Sequence, residues 1–219
     1  YEIAQCLVGS EMCIRDSYRQ ATATSSGIWD KVYEFIPAPG QFINELSQNT
    51  GFIGNETTPQ QAIEYATKRL NKKAHVSLGS FGGYIIIGFD HSIAPSGREY
   101  DFAIQGNAFN SSSGGSNEPG IVWVMQDING NGQPDDEWYE LKGSETGIDG
   151  TIQDYEVTYY RPAPRAHTPW VDSEGNSGSV DMNAYHGQEY YYPNWIKEDS
   201  YTLYLVSYTH LTLPTKLEV

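Results

Sequence analysis

The chain has 219 residues and a formal net charge of −15, because 28 acidic side chains outnumber 13 basic ones. So acidic a chain repels the phosphates of nucleic acids and of anionic lipids, and we expect it to bind neither. Its 17 Tyr, 5 Trp and 22 Gly favour a secreted or cell-surface β-protein with many turns. No run of about 18 apolar residues occurs, so we expect no direct membrane insertion by this fragment.

The first part of the chain predicts one strand and one helix. Residues 31–36, KVYEFI, have the composition of a strand and are followed by a turn rich in Pro and Gly. Farther along, Thr58 is a candidate helix N-cap, with Pro59 at the first helical position and Gln61 placed to complete a capping box. Apolar residues at helical spacing extend this helix over about twelve residues, to near Asn71.

From residue 75 onward the pattern changes to strands and turns, and nothing else in the sequence has helical periodicity. Residues 161–178 predict a long connection, since they are rich in Pro and polar side chains. The predicted fold is therefore mostly β with one short helix. Besides two strands around a hairpin within residues 120–142, we predict strands at residues 75–79, 83–90, 100–107 and 155–160.

The central hairpin contains a loop that resembles a calcium-binding loop. Gly132 occupies position 6 of such a loop, where the chain turns sharply, and Gln133 at position 7 offers its backbone carbonyl. Calcium takes six to eight hard oxygen ligands, and alternate positions of this loop supply them. The side chains at positions 1, 3, 5 and 9 are Asp127, Asn129, Asn131 and Asp135.

The match to an EF-hand ends at position 12, where Trp138 replaces the bidentate glutamate. Asp136 and Glu137 are possible substitutes for the missing ligand. The flanks, residues 121–125 and 138–141, are short, β-branched and aromatic, which predicts a strand, a loop and a strand. We therefore predict a structural calcium site in a β-hairpin. The alternative is a polar turn that binds nothing.

A second candidate site is an aromatic segment near the end of the chain. Aromatic faces in a loop can stack on a sugar or a macrocycle when a few polar groups lie beside them. The alternative is that these rings cover the edge of the sheet. Trp170, in the Pro-rich connection, is a further candidate. The predicted ligand-binding residues of the segment are Tyr185, His186, Tyr190, Tyr191, Tyr192 and Trp195.

The best candidates for catalytic groups are the clustered carboxylates of the hairpin. A glycosidase needs two carboxylates that face each other across a cleft, about 5 to 10 Å apart, and neighbours on one loop do not supply that arrangement. No nucleophile elbow, H-E-x-x-H motif or P-loop occurs. We therefore assign no catalytic residues and expect no enzyme. The alternative is a carbohydrate-active enzyme or its accessory domain.

Residues 83–142 contain the phrases GYIIIGFD, YDFAIQGNAF, EPGIV and PDDEWYEL. These resemble a family of bacterial cell-surface proteins of the Bacteroidales type, often labelled PKD-domain-containing, over residues 33–196. The E-P-x-x-V and W-x-x-L elements are also similar to discoidin or galactose-binding-like domains. That resemblance implies an antiparallel jelly-roll β-sandwich with ligand loops at one end and a metal in a structural role.

Both ends of the chain look foreign to this domain. Residues 6–17 and 206–216 resemble translated sequencing-adapter read-through, as found in genes assembled from environmental DNA, so we exclude residues 1–17 and 206–219 from fold reasoning. Both cysteines fall in the first segment, which removes any disulfide argument. We expect a single domain over residues 18–205, incomplete at its C-terminus.

Together these features predict a calcium-stabilised ligand-binding or adhesion module of a cell surface. The family resemblance implies lipid anchoring of the intact protein and capture of a glycan or another nutrient, such as a corrinoid. It also implies an outer-membrane uptake partner.

Overall fold

A computed structural model of the protein describes residues 18–45, 54–95, 97, 100–112, 114–116, 120–143 and 146–209. Within these ranges it has one helix, α1 (Pro59–Asn71), which is too short to cross a membrane. The predicted class, mostly β with one short helix, is confirmed. The ten strands are β1 (Lys31–Ile36), β2 (Tyr84–Gly88), β3 (Phe109–Ser111), β4 (Gly114–Ser116), β5 (Trp123–Met125), β6 (Trp138–Glu140), β7 (Thr151–Tyr160), β8 (Thr168–Asp172), β9 (Ser177–Val180) and β10 (Ser200–Thr209).

The strands form one four-stranded sheet and three two-stranded sheets. The four-stranded sheet has the order β10-β7-β8-β9, and its neighbours are antiparallel. The pairs β3–β4 and β5–β6 are antiparallel hairpins, and β1 pairs with β2. This arrangement is consistent with the predicted β-sandwich.

By its contacts the chain divides into two compact units. The single domain over residues 18–205 stays a prediction. The hairpin unit comprises the described residues within 18–33, 86–104 and 121–141. The tyrosine unit comprises those within 34–85, 105–120 and 142–209. The division falls inside β1 and β2, so each of these strands contributes residues to both units.

Helix α1 begins and ends where its local signals predict. The Thr58 side chain accepts a hydrogen bond from the Gln61 backbone N–H at 3.3 Å, and Pro59 is the first helical residue. The Gln61 Oε1 accepts from the backbone N–H of Thr57 at 3.0 Å, one residue before the N-cap. The helix buries Ala62 and Ala66. Capping chemistry therefore sets the start of this helix, and burial of its alanine face packs it against the rest of the unit.

Two predicted strands are wrong. Residues 75–79 and 100–107 belong to no strand. Beside the first, the Leu78 carbonyl accepts from the Ala38 N–H at 2.9 Å and the Ser80 N–H donates to the Pro39 carbonyl at 3.0 Å, but these two bonds do not extend into a strand pair. In the second, Tyr100, Phe102 and Ile104 are exposed, so an alternating pattern there faces no partner sheet among the described residues.

The predicted connection at residues 161–178 is also wrong, because β8 and the start of β9 lie within it. Pro169 favours a loop since proline cannot donate to a ladder. In the structure Pro169 lies just before Trp170, the first β8 residue that pairs with β7. Strand β10 was not predicted; its backbone continues through residues 206–209, and the rest of both foreign-looking segments lies outside the described residues.

The core of the tyrosine unit is built largely from tyrosines. Tyr155, Tyr159 and Tyr192 are buried with Val157 and Leu203 in one cluster. A buried tyrosine needs a partner for its hydroxyl. The Tyr159 hydroxyl donates to the Phe81 carbonyl and the Tyr192 hydroxyl to the Glu198 carbonyl, each at 2.9 Å. The core thus excludes water without leaving these polar groups unpaired.

Candidate functional site

The hairpin predicted around the candidate calcium loop is present. Strands β5 and β6 pair in antiparallel register, with Met125 opposite Trp138 and Val124 opposite Tyr139. The backbone N–H of Leu141 bonds to the Val122 carbonyl at 2.9 Å and extends the hairpin by one pair. The loop therefore connects two strands, as predicted, and is not flanked by helices.

The backbone of the loop donates hydrogen bonds to the loop's own Asn side chains. The N–H of Asn131 donates to Asn129 Oδ1 at 2.9 Å, and the N–H of Gln133 donates to Asn131 Oδ1 at 2.7 Å. Gly130 and Gly132 have φ values of 69° and 71°, in the left-handed region that glycine tolerates best. These bonds place the side chains of loop positions 3 and 5 on the inside of the turn.

Asp135, at position 9, joins those two amides. Its Oδ1 accepts from Asn129 Nδ2 at 3.1 Å, and its Oδ2 accepts from Asn131 Nδ2 at 2.9 Å. These hydrogen bonds, that from Asn131 first, hold the pKa of Asp135 below its ordinary value, because they stabilise the ionised carboxylate. Three of the predicted ligands are therefore brought together.

The two substitute ligands are placed differently from each other. Asp136 Oδ2 accepts from the backbone N–H of Ile128 at 2.9 Å, so this carboxylate closes the base of the loop. Glu137 turns toward the strand, where its Oε2 accepts from the Tyr139 hydroxyl at 2.6 Å. That bond raises the pKa of Tyr139. Asp136 stays with the loop, and Glu137 does not.

Asp127, at position 1, differs from the other loop carboxylates in the hydrogen bonding of its buried side chain. Its side chain is 7 % exposed. Oδ2 accepts from the Gly132 N–H at 3.0 Å and lies 3.9 Å from Arg19 Nη2. Oδ1 has no hydrogen-bond donor among the described residues, and less than 1 Å² of its surface is accessible. A buried carboxylate oxygen without a donor is costly, and a bound ion or water at that position would relieve the cost.

The donor set of the loop fits calcium better than zinc. It offers carboxylate, amide and carbonyl oxygens, whereas zinc prefers Cys and His. The amide oxygens of Asn129 and Asn131 each accept one N–H bond, which leaves a second lone pair for a cation. Among the described residues no three His, Cys, Asp or Glu side chains group as a metal site. In this loop, the side chains that contact Asp135 are the amides of Asn129 and Asn131.

Two further residues that contact the loop could not be found from local spacing. The Tyr33 hydroxyl, from β1, donates to the Gly132 carbonyl at 2.8 Å across 99 positions of sequence. Arg19 approaches Asp127 from still farther along the chain. No motif links either residue to the loop, because the contacts depend on how the hairpin unit folds.

Half of the predicted ligand-binding residues in the aromatic segment are buried in the interior. Tyr191, Tyr192 and Trp195 are between 0 and 4 % exposed, so these three predicted ligand-binding residues belong to the interior. The Tyr191 hydroxyl donates to the His186 carbonyl at 2.9 Å, and the Trp195 ring lies 6.3 Å from the Phe35 ring. A ring packed inside the protein has no face left for a ligand.

The segment is tied down by a residue that the sequence analysis passed over. Asn44 Nδ2 donates to the Tyr190 and Tyr192 carbonyls at 2.9 and 2.7 Å, and Asn44 Oδ1 accepts from the Asn194 N–H. Asn44 has a φ of 59°, which Asn tolerates better than most residues. These bonds give the segment a structural role.

The remaining candidates keep some exposed surface. Tyr185 is 93 % exposed, and Tyr190 and Trp170 are half-buried against the core. His186 is half-buried, and its Nδ1 lies 3.0 Å from Glu45 Oε1. The exposed candidates are thus Tyr185 and the open parts of Tyr190 and Trp170.

No protein-family model and no curated protein matches this sequence. The function is therefore argued from the geometry of the loop and of the aromatic residues.

Proposed function

We propose that the chain is a calcium-stabilised, non-catalytic binding or adhesion module of a bacterial cell surface, whose hairpin loop holds one calcium ion. The calcium part of the proposal rests on the hydrogen bonding of the Asp127 carboxylate. One of its oxygens is fixed by Gly132, and the other is buried without a donor. A cation at that oxygen would add to the partial compensation of the carboxylate charge by Arg19, whose Nη2 lies 3.9 Å from Oδ2.

The ligands that the loop offers are Asp127 Oδ1, the side-chain oxygens of Asn129, Asn131 and Asp135, and the Gln133 carbonyl. These five fall one short of the smallest number that calcium takes, and water can supply the remainder. Asp136 stays with the loop base. Bound calcium would supply a fixed positive charge that cross-links the two halves of the hairpin.

The non-catalytic part is supported by the state of the loop carboxylates. Asp135, Asp136 and Glu137 each accept hydrogen bonds from donors of the same hairpin. All three lie on one loop, whereas a hydrolase needs two carboxylates that face each other across a common cleft. We therefore favour a binding module over the carbohydrate-active alternative.

The ligand part rests on the family resemblance and on the aromatic faces that stay accessible. Tyr185 provides exposed ring surface of the kind that stacks on a sugar or a macrocycle, and half-buried Trp170 provides the part of its ring that does not pack on the core or on Gly178. We propose a glycan or a corrinoid as the captured ligand, with surface localisation in the intact protein. A binding panel of glycans and corrinoids tests this, and loss of a positive signal in Trp170→Ala would identify the face. A panel without binding would favour a purely structural surface domain.

The calcium claim is tested by thermal unfolding with calcium chloride and with excess EGTA. We expect calcium to raise the Tm of the wild-type chain, because a ligand that binds only the folded state stabilises it. Asp127→Asn should abolish the shift. Asp149→Asn, which removes the same charge from an exposed turn, should keep it. Equal Tm values of the wild-type chain in calcium and EGTA would reject the site.

A further inference from the structure

Gly132 is held from both sides, and the two contacts involve different parts of the hairpin unit. Its N–H donates to Asp127 Oδ2 at 3.0 Å, and its carbonyl accepts from the Tyr33 hydroxyl at 2.8 Å. The carbonyl of Gly132 and the N–H of Gln133 belong to one planar peptide group. That N–H donates to Asn131 Oδ1 at 2.7 Å. Tyr33 thus acts on loop positions 1 and 5 through a single residue.

The place of the Tyr33 ring is set by a glycine in β2. A Cβ atom on Gly88 would lie 2.4 Å from Tyr33 Cε2 and 3.3 Å from Cζ, so the ring rests directly on the Gly88 backbone. Gly88 is itself fixed, because its carbonyl accepts from the Asp30 N–H at 2.8 Å. Lys31 Nζ lies 4.1 Å from the ring centroid and covers the ring with a cation–π contact.

We propose that Tyr33 is a positioning residue for the calcium loop, and that occupancy of the loop is coupled through Tyr33 to the pairing of β1 with β2. By holding the Gly132 carbonyl, Tyr33 fixes the turn that aims Asp127 Oδ1 inward and presents Asn131 Oδ1. Coupling between two sites is reciprocal. A cation in the loop therefore strengthens the Tyr33 bond, just as that bond strengthens cation binding. This inference rests on the proposed calcium site.

The direct test is calcium affinity in Tyr33→Phe, which removes one oxygen and keeps the ring on Gly88. We expect the Kd for calcium to rise about tenfold, within the usual range of coupling between sites. Tyr100→Phe is the matched control, since that side chain is 74 % exposed in the same unit, and its Kd should equal that of the wild-type chain.

A readout beyond affinity separates positioning from general stability. In amide NMR spectra of the wild-type chain, calcium should shift the Gly132 and Gln133 signals of the loop and also the Asp30 signal beside Gly88. In Tyr33→Phe the loop signals should still shift at saturating calcium, while the Asp30 signal should stay in place. A variant that was merely destabilised would show the shift at both places once calcium saturates it.

Gly88→Ala provides an independent route, because the added methyl group displaces the ring while the hydroxyl remains. We expect a similar rise in Kd, whereas Gly27→Ala, with no atom within 4 Å of its new methyl group, should change nothing. If wild-type chain and Tyr33→Phe bind calcium equally tightly, the role of Tyr33 is rejected and the calcium site stands. If the wild-type chain binds no calcium, both proposals fail together.

Discussion

The tyrosine core and the calcium loop use polar atoms in opposite ways. In the core of the tyrosine unit, the hydroxyls of Tyr155, Tyr159 and Tyr192 are buried, and each has an acceptor within 2.9 Å. In the loop of the hairpin unit, Asp127 keeps a buried oxygen that accepts from no donor in the described part of the chain. The fold itself satisfies these three core hydroxyls, whereas Asp127 Oδ1 is left for a cation, since Arg19 lies 3.9 Å from the other oxygen, Oδ2. Outside that core cluster, the tyrosine unit also has buried oxygens without a partner among the described residues, at Glu45, Thr168 and Gln188.

This difference between core and loop shows which sequence signals indicate a functional site in a chain rich in aromatic and acidic residues. A cluster of aromatic residues is equally suited to a core and to a ligand surface, and composition cannot distinguish the two. A loop with side-chain oxygens at fixed positions is a more specific signal, because its spacing matches the ligand positions of a calcium-binding loop. Burial of Tyr191 and Tyr192 and exposure of Tyr185 divide the aromatic segment in a way that spacing does not.

The largest expected effect is in the core. Tyr192→Ala should lower the free energy of unfolding by about 3 to 5 kcal/mol, because it empties a fully buried ring site. Tyr185→Ala, seven residues earlier and 93 % exposed, should change it by no more than about 0.5 kcal/mol. Urea unfolding monitored by circular dichroism gives both values. Similar losses in the two variants would erase the distinction between core and surface aromatics.

A smaller effect is expected from a single core hydroxyl. Tyr159→Phe leaves the Phe81 carbonyl without its donor, and this should cost about 1 to 2 kcal/mol of unfolding free energy. Burial raises the pKa of Tyr159 well above its ordinary range, so the hydroxyl stays protonated as a donor. Tyr204→Phe, at an exposed ring, should be neutral in the same urea titration. An unchanged free energy of unfolding in Tyr159→Phe would show that this hydrogen bond does not stabilise the fold.

The smallest effect concerns a carboxylate that, unlike Asp127, is fully satisfied. Burial by itself would raise the pKa of Asp172, but hydrogen bonds from Tyr155, Asn176 and backbone N–H groups outweigh it and lower the pKa below 3.8. A lowered folded-state pKa adds stability above the unfolded pKa, and that stability is lost as the pH falls through the folded value. Asp172→Asn should therefore be less stable than the wild-type chain near neutral pH.

The gap in Tm between Asp172→Asn and the wild-type chain should narrow as the pH falls from about 5 to about 2.5. Thermal unfolding across that range, in EGTA, measures it. A gap that stays constant with pH would mean that the charge on Asp172 is not what stabilises the β8–β9 turn.

Local sequence signals predicted the elements that depend on local chemistry. Strand β1 and helix α1 were predicted from composition and caps, and the hairpin around the loop from its apolar flanks and turn residues. The side chains of loop positions 3, 5 and 9 contact one another, as the calcium-loop spacing implies. For the helix cap and for the loop side chains, the stabilising contacts span fewer than ten positions of sequence.

Features that depend on long-range packing were missed. Strand β8 contains Pro169, whose effect on a ladder depends on which strand lies beside it. Residues 100–107 alternate like a strand but have no partner strand in the described part of the chain. Asn44 and Tyr33 act on segments more than about 90 residues away, beyond the reach of any local pattern.

The most direct test of the contrast between core and loop is isothermal calorimetry of calcium binding to the intact chain. The account predicts one calcium ion bound per chain in the wild type, none in Asp127→Asn, and unchanged binding in Tyr185→Ala. Absence of binding heat in the wild-type chain, or equal binding in Asp127→Asn, would contradict it, because the open oxygen of Asp127 would then have no role in holding a cation.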